Sequence, residues 1–358
     1  MKIIVSAGGT MGHINPALAI IDEFKRREKD LEVLYIGTHN RMEKEVIPKH
    51  HIKYEEIEVY GFSKDIFLDI KNVGCVIKAT KKCVEIMKEF KPDVVIGVGG
   101  YVTYPVLKAA SKLKIKTFIH EQNSIPGKSN KMIAKYADLI GVTFDCSMPY
   151  FKTKGKVFWC GHPCGALALK REMVDKLSLG FCKNKKLVTV VAGSLGSGSL
   201  NEKFLPVLKD LEDKNYEVCY ITGKMHYEEL KKCPVSSNVK FIPYCENLPG
   251  LMKCSDLVVS RAGAGSLSEI LSLEVISLII PSPNVANNHQ YYNAKELNDK
   301  GCIQMLEEKD ITSEVLLAKI EECLNNMNLR EKMKKAMQKL DTKNSSEMIY
   351  REIKRLVE

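Results

Sequence analysis

The residues equipped for chemistry gather in short glycine-rich stretches. His13 is the one imidazole inside such a stretch, "SAGGTMGHINP" (6–16), which follows the apolar run "KIIV". A neutral imidazole with a pKa near 6.5 suits removal of a proton from an attacking hydroxyl, and it would equally serve to fix its loop through a backbone carbonyl. In "SRAGAGSLSE" (260–269), Ala264, Gly265 and Ser266 fall at a helix start, where unpaired N–H groups can hold a diphosphate. Glu269, one turn inside, can accept two hydrogen bonds from a ribose diol, although its spacing from Ser266 also fits a capping box. "PSPNVANNHQYYNAKEL" (281–297) puts His289 and Gln290 at another helix start. A side-chain amide there both donates to and accepts from sugar hydroxyls, with an Asn-rich turn as the plainer reading. "HEQNSIPGKSNK" (120–131) carries His120, Glu121 and Asn123 to the edge lined by the first loop and by "GVGGYVTYP" (97–105), which holds Gly99, Gly100 and Tyr101.

Several chemistries are disfavoured by what is missing. The first loop lacks both the lysine of a Walker loop and the G-x-G-x-x-G spacing of a dinucleotide fold. No Asp-x-Asp is present to bridge a metal to a nucleotide sugar, and Cys160 and Cys164 have no second pair at zinc spacing. The expectation is a site with no metal and no cofactor, in which helix termini and hydroxyls meet the charge of a leaving group.

These loops need strands and helices to hold them. The strand candidates in the first half are "KIIVSA", "EVLYIG", "DVVIGV", "KTFIH" and "DLIGVT"; in the second they are "KLVTVVAG", "YEVCYITG", "DLVVS" and "VISLIIP". Amphipathic stretches fall between them, such as Val76, Ala79, Cys83, Ile86 and Phe90 at 3-4-3-4 spacing. Near-continuous apolar strands alternating with helices predict parallel sheets covered on both faces. "KIIVSAGGTMGHINPALAI" is echoed from Lys186 by "KLVTVVAGSLGSGSLNEKF", which supplies a fourth glycine-rich loop, "AGSLGSGS" (192–199). The expected fold is α/β, with two doubly wound Rossmann-like domains facing across a cleft. The first spans 1–162 and the second 163–340, with a hinge near 160–165, and 341–358 form a closing amphipathic helix that packs back on the first. Ligands of such sheets bind beyond the carboxyl ends of the strands, where all four loops lie.

The chain of 358 residues carries a net charge of +10, placed unevenly: residues 1–162 hold 26 basic against 18 acidic side chains. A one-sided positive field suits an anionic partner. "YGFSKDIFLDIKNVGCVIKATKKC" (60–83) mixes Phe62, Ile66, Phe67 and Leu68 with Lys64, Lys71, Lys78, Lys81 and Lys82. That mixture suits docking on an anionic leaflet, or else an ordinary core helix with a solvated lysine face. No apolar run reaches the ~18 residues of a membrane span, and Ala7-Gly8-Gly9 breaks the N-terminal apolar stretch too early for a secretory signal.

Taken together, "GGTMGHINPALA", "KPDVVIGVGGYVTYP", "HEQNSIPGKSNK", "AGSLGS", "SRAGAGSLSE" and "PSPNVANNHQYYNA" resemble, in order, the signature blocks of the bacterial MurG family. These are transferases of the GT-B fold that pass GlcNAc from UDP-GlcNAc to undecaprenyl-diphosphate-linked lipid I, making lipid II. The resemblance runs from residue 8 to about 297. It implies inverting transfer to the MurNAc 4-hydroxyl, with no metal, at the cytoplasmic face of the plasma membrane. The implied partners are the two substrates, an anionic membrane surface and cell-wall synthesis or division proteins, with no nucleic acid. By position, Thr10, Met11, Gly12, Asn123, Ser194, Ala264, Gly265, Ser266, Leu267, Ser268, Glu269 and Gln290 would contact the UDP-sugar, with Cys245 at the uracil. Gly99, Gly100, Tyr101, His120 and Glu121 would face the acceptor beside His13.

Three positions depart from the family pattern. Met11 stands where a small residue is usual, Leu195 where Gln is usual, and Gly165 where an Arg commonly ends the block written here "GHPCG". Competing readings are a diacylglycerol glycosyltransferase of the same fold, a nicotinamide oxidoreductase and a low-activity membrane scaffold. "HEQN" followed by "NNHQ" argues against the first. "EVLYIGTHN" argues against the second, because it offers no acidic residue at the close of the second strand.

Overall fold

A computed structural model describes residues 1–61, 66–193, 196–340 and 342–358, with the side chains of 66–71 left aside. The chain divides into two compact units, Met1–Cys164 with Asn344–Glu358, and Gly165–Lys343.

The first unit is built on seven parallel strands: β1 (Lys2–Ser6), β2 (Glu32–Thr38), β3 (Lys53–Ile57), β4 (Val94–Gly97), β5 (Lys116–Glu121), β6 (Leu139–Val142) and β7 (Lys156–Trp159). Their order across the sheet is β3-β2-β1-β4-β5-β6-β7. Successive side chains of β1 point to opposite faces, so Ile4 enters one apolar cluster while Ile3 and Val5 enter another. The first cluster is closed by the helix Ile66–Phe90 through Ala79, Cys83 and Met87, and Val76, Ile86 and Phe90 pack against it. The second is closed by the helix Met11–Arg27 and by the last helix, Ser345–Val357. Ile349 and Ile353 of that last helix are fully buried. Its Tyr350 stacks edge-on against Phe24 at 5.0 Å and donates to Glu28 at 2.6 Å.

The second unit repeats the plan with six strands: β8 (Lys186–Val191), β9 (Tyr216–Ile221), β10 (Val239–Ile242), β11 (Leu257–Ser260), β12 (Ser277–Ile279) and β13 (Gln304–Met305). All pair in parallel in the order β10-β9-β8-β11-β12-β13. In each sheet the chain order reverses at one place, between β1 and β4 and between β8 and β11. Such a reversal leaves a crevice beyond the strand ends, because the connections on either side depart in opposite directions. The four glycine-rich loops of the sequence are the ones that leave these four strands.

Among the described residues, no helix is long and apolar enough to cross a membrane.

Candidate active site

In the first unit the loops after β1 and β4 meet backbone to backbone. The Gly8 N–H donates to the Gly99 carbonyl at 3.2 Å, and a Cβ on Gly100 would strike the Gly8 carbonyl. Gly99 and Gly100 have φ of 111° and 90°, a region in which side chains are strained, so the contact demands glycine twice. The helix Met11–Arg27 begins there with Thr10 as its N-cap and with no side-chain cap and no acidic residue in its first turn. Its start is left open to an anion. Thr10 and Gly12 are exposed, whereas Met11 is half-buried and packs against the core of that face. Met11 is thereby accounted for as packing at the helix start.

His13 sits in this first turn with its ring against Gly99. Its Nδ1 is buried and has no hydrogen-bond partner among the described residues. Burial pushes the ring's pKa down to about 4, opposed by the charge of Glu43, so the ring is neutral at physiological pH. Tyr101, half-buried, accepts a hydrogen bond on its hydroxyl from Arg41 Nε at 3.2 Å.

His120 and Glu121, at the end of β5, are fully buried. The side-chain amide of Gln122 donates to His120 Nδ1 at 3.0 Å and to the Val98 carbonyl at 2.7 Å. With Nδ1 accepting, Nε2 is the protonated nitrogen and donates to the Gly161 carbonyl at 3.1 Å. His120 is therefore held neutral in one tautomer, its pKa lowered to about 4 by burial. His162 lies edge-on to it at 5.7 Å and is likewise pushed well down by burial. Glu121 accepts from the backbone N–H groups of Asn123 at 2.9 Å and Gly127 at 3.1 Å, and from the Asn130 amide at 2.8 Å. Burial still raises its pKa. These two side chains face inward and shape the 121–130 loop, on which Asn123 is half-buried.

In the second unit the helix Ala264–Leu273 starts beyond β11 with Gly263 as its N-cap, and no side chain caps it. Ser266 lies inside the helix, so the capping box with Glu269 does not form. Ala264, Leu267 and Ser268 are buried, with Ser268 Oγ donating to the Gly265 carbonyl at 2.7 Å, while Gly265 and Ser266 remain partly accessible. Glu269 is half-buried, and burial raises its pKa to about 7, with the charge of Arg171 opposing. Gln290 opens the helix His289–Asp299 behind Asn287 and Asn288, both left-handed at φ 55° and 50°. Its carbonyl oxygen accepts from the N–H groups of Ala262 at 3.2 Å and Ser282 at 2.9 Å, which turns its NH₂ into the group available to a ligand. Cys245 is half-buried and packs against the apolar cluster around Cys219 and Leu251. Ser194 and Leu195 lie outside the described residues. Gly165 packs on the helix carrying Glu269, where a Cβ would meet Ser272 Oγ and the Ser268 carbonyl. No arginine fits that position without moving the helix.

Two residues that sequence reasoning passed over hold these loops together. Glu43, buried at the start of the helix Glu43–Lys49, accepts from Gly9 N–H at 3.1 Å and from the Thr38 N–H and hydroxyl at 3.2 and 2.6 Å. Arg261, buried after β11, donates to Ser197 Oγ at 2.6 Å, to Ser199 Oγ at 3.3 Å and to the Ile280 carbonyl at 3.3 Å, and pairs with Glu308 at 2.5 Å. It ties the loop after β8 to the loop after β11. Among the described residues, no cluster of three or more His, Cys, Asp or Glu is placed to hold a metal ion.

Comparison with known proteins also gives two domains. Residues 3–142 match the glycosyltransferase family 28 N-terminal domain, and residues 187–349 match the family's C-terminal domain. The chain is 40% identical over 360 residues to a protein of Halalkalibacterium halodurans, covering 99% of both. It is 40% identical over 363 residues to one of Bacillus cytotoxicus, covering both completely. Each relative is described as a UDP-N-acetylglucosamine–N-acetylmuramyl-(pentapeptide) pyrophosphoryl-undecaprenol N-acetylglucosamine transferase. Among solved structures, Acinetobacter baumannii MurG superposes with a TM-score of 0.80 at 26% identity, over 99% of each chain. A UDP-GlcNAc 2-epimerase from Neisseria meningitidis, at 14% identity and a TM-score of 0.69 over 98% of this chain and 99% of its own, shares the fold.

Proposed function

We infer the chemistry from one premise: the chain belongs to glycosyltransferase family 28, and within it to the MurG transferases of the GT-B fold. It is a UDP-GlcNAc-dependent glycosyltransferase that passes GlcNAc to the MurNAc 4-hydroxyl of lipid I, forming lipid II in peptidoglycan synthesis. The observation that carries this is 40% identity along 99% of the chain and of its relative.

The assignment of parts is our reading. The diphosphate of UDP lies at the open N-terminus of the helix Ala264–Leu273, whose N–H groups and dipole receive negative charge as the glycosidic bond to phosphate breaks. Glu269 accepts the ribose hydroxyls. The NH₂ of Gln290 donates to a GlcNAc hydroxyl, its oxygen being committed to backbone. Cys245 meets the uracil through its backbone, and Asn123, Ser194 and the Thr10–Gly12 turn complete the donor contacts. The acceptor lies along the glycine turn of the first unit, beside Gly99, Gly100 and Tyr101. His120 and Glu121 act there by holding the 121–130 loop. The acceptor oxygen attacks the anomeric carbon from the face opposite UDP, its proton passes to His13, and the bonding pair leaves on the diphosphate, so configuration inverts.

Membrane attachment is peripheral, at the cytoplasmic face of the plasma membrane. The support is the helix Ile66–Phe90, where Val73 and Ile77 are each 51% exposed beside exposed Lys78, Lys81 and Lys82. Phe62 and Lys64 lie outside the described residues, as do the side chains of Ile66, Phe67, Leu68 and Lys71.

The test supplies radiolabelled UDP-GlcNAc with lipid I or with diacylglycerol. Label enters lipid I; label entering only diacylglycerol overturns the assignment. Restoring growth to a MurG-depleted strain tests the same activity in cells.

A further inference from the structure

Glu43 has no exposed surface, yet no cation pairs with it among the described residues; its partners are the neutral donors of Gly9 and Thr38. A buried carboxylate held this way is costly. Two contacts locate it. Gly9, which donates to Glu43, lies in the turn that starts the helix bearing His13, and a Cβ on Gly8 would collide with the same carboxylate. His13 Nδ1 is buried without a hydrogen-bond partner among the described residues, so Nε2 is the nitrogen left to meet a substrate hydroxyl. The charged group acting on this ring is Glu43, which favours its protonated form, and the ring in turn disfavours protonation of the buried imidazoles His120 and His162.

We propose that Glu43 is the positioning residue of the proton transfer: its carboxylate sets the shape of the glycine turn that aims His13, and it supplies the counter-charge when the ring becomes an imidazolium. In that step the acceptor O–H bond breaks, the proton goes to His13 Nε2, and the oxygen's electron pair forms the new bond to the anomeric carbon. The proposal rests on His13 being the base.

The experiment measures pH profiles of kcat/KM for the full chain and for Glu43→Gln, which keeps the hydrogen-bonding shape and removes the charge. We expect kcat to fall about 10- to 100-fold, less than the full worth of a general base, and the acid limb to move about one unit lower. The KM for UDP-GlcNAc, held mainly by the second unit, stays within about twofold, because Gln keeps the hydrogen-bonded shape of the turn. An unmoved limb, or a loss expressed wholly as a higher KM for UDP-GlcNAc, overturns the proposal. Protection against thermal unfolding by UDP shows that the variant is folded. If it is not, Glu43→Asp retains the charge and is expected to keep the limb in place, and a shifted limb there overturns the proposal. His13→Ala separates the two claims. Near-normal turnover in that variant sinks the base assignment itself, whereas a dead His13→Ala beside an unmoved limb in Glu43→Gln sinks only the role of Glu43.

Discussion

The two units solve one construction problem with opposite charges. Each brings glycine-rich loops together at the reversal point of a parallel sheet, where backbone must approach backbone and a ligand. The first unit braces its turn with a buried carboxylate, Glu43, and the second with a buried guanidinium, Arg261. The signs fit the tasks proposed for the two units. A ring that takes up a proton is better placed over a negative charge, and a loop that receives a diphosphate over a positive one. Arg261 also differs in having a countercharge, Glu308, whereas the partners of Glu43 among the described residues are neutral donors.

The sharpest way to break this comparison is at the base. His13→Ala is expected to lower turnover about 10²- to 10⁴-fold, the usual worth of general-base catalysis, while leaving protection by UDP intact. Loss of UDP protection would show that the tasks are not divided in this way. Next in size is the brace of the second unit. Arg261→Met strands Glu308, and breaking such a buried pair costs about 3–5 kcal/mol, read as a lower urea midpoint. Replacing Arg261 and Glu308 together by apolar residues should recover much of that stability, because neither charge is then left alone.

Acid should separate the units further. His13 and His120 have values near 4 in the folded chain and His162 lies well below its ordinary 6.5. The unfolded chain therefore binds more protons as the pH drops, and their contribution is lost from about pH 6.5 downward toward 4. Glu269 runs the other way. Raised from 4.5 to about 7, it favours the folded chain fully below pH 4.5, and that contribution is lost as the pH rises through 7. Hydrogen exchange at pH 7 and 5 should show protection falling in the first unit before the second, and Glu269→Gln should raise the Tm at pH 8 more than at pH 5. The smallest expected effect is a proton count. Ribose hydroxyls favour the ionised Glu269, so binding of UDP near pH 6.5 should release up to one proton, seen by calorimetry in buffers of different ionisation heat. Glu269→Gln should abolish the release.

The nine strands expected from apolar runs are present as β1, β2, β4, β5, β6, β8, β9, β11 and β12. The four that the runs did not reveal, β3, β7, β10 and β13, are the edges of the two sheets. An edge strand has one side open, so "KYEEI" and "KVFW" carry charge and partial exposure in place of an apolar run. The loops were legible because glycine and helix-start residues announce themselves. Their braces were less so, since a buried Glu or Arg looks like any surface charge until its neighbours are known. A signal was present for Arg261, a lone cation directly after "DLVVS" where the chain has just left the core. The motif "HEQN" drew attention to His120 and Glu121, yet Gln122 is the residue that joins β5 to the loop carrying Gly99.

The last helix has a consequence for how the molecule is made. Ile349 and Ile353 complete an apolar face that begins with Ile3 and Val5, and all of Gly165–Lys343 is synthesised in between. A nascent chain emerging from the ribosome therefore holds the first unit unfinished, with Phe24 and its neighbours waiting for a cover, until Ile349 and Ile353 have been made. The second unit, contiguous in sequence, needs no such wait. Premature release near residue 343 would yield a chain whose second unit is finished and whose first still presents an open apolar face to chaperones and proteases.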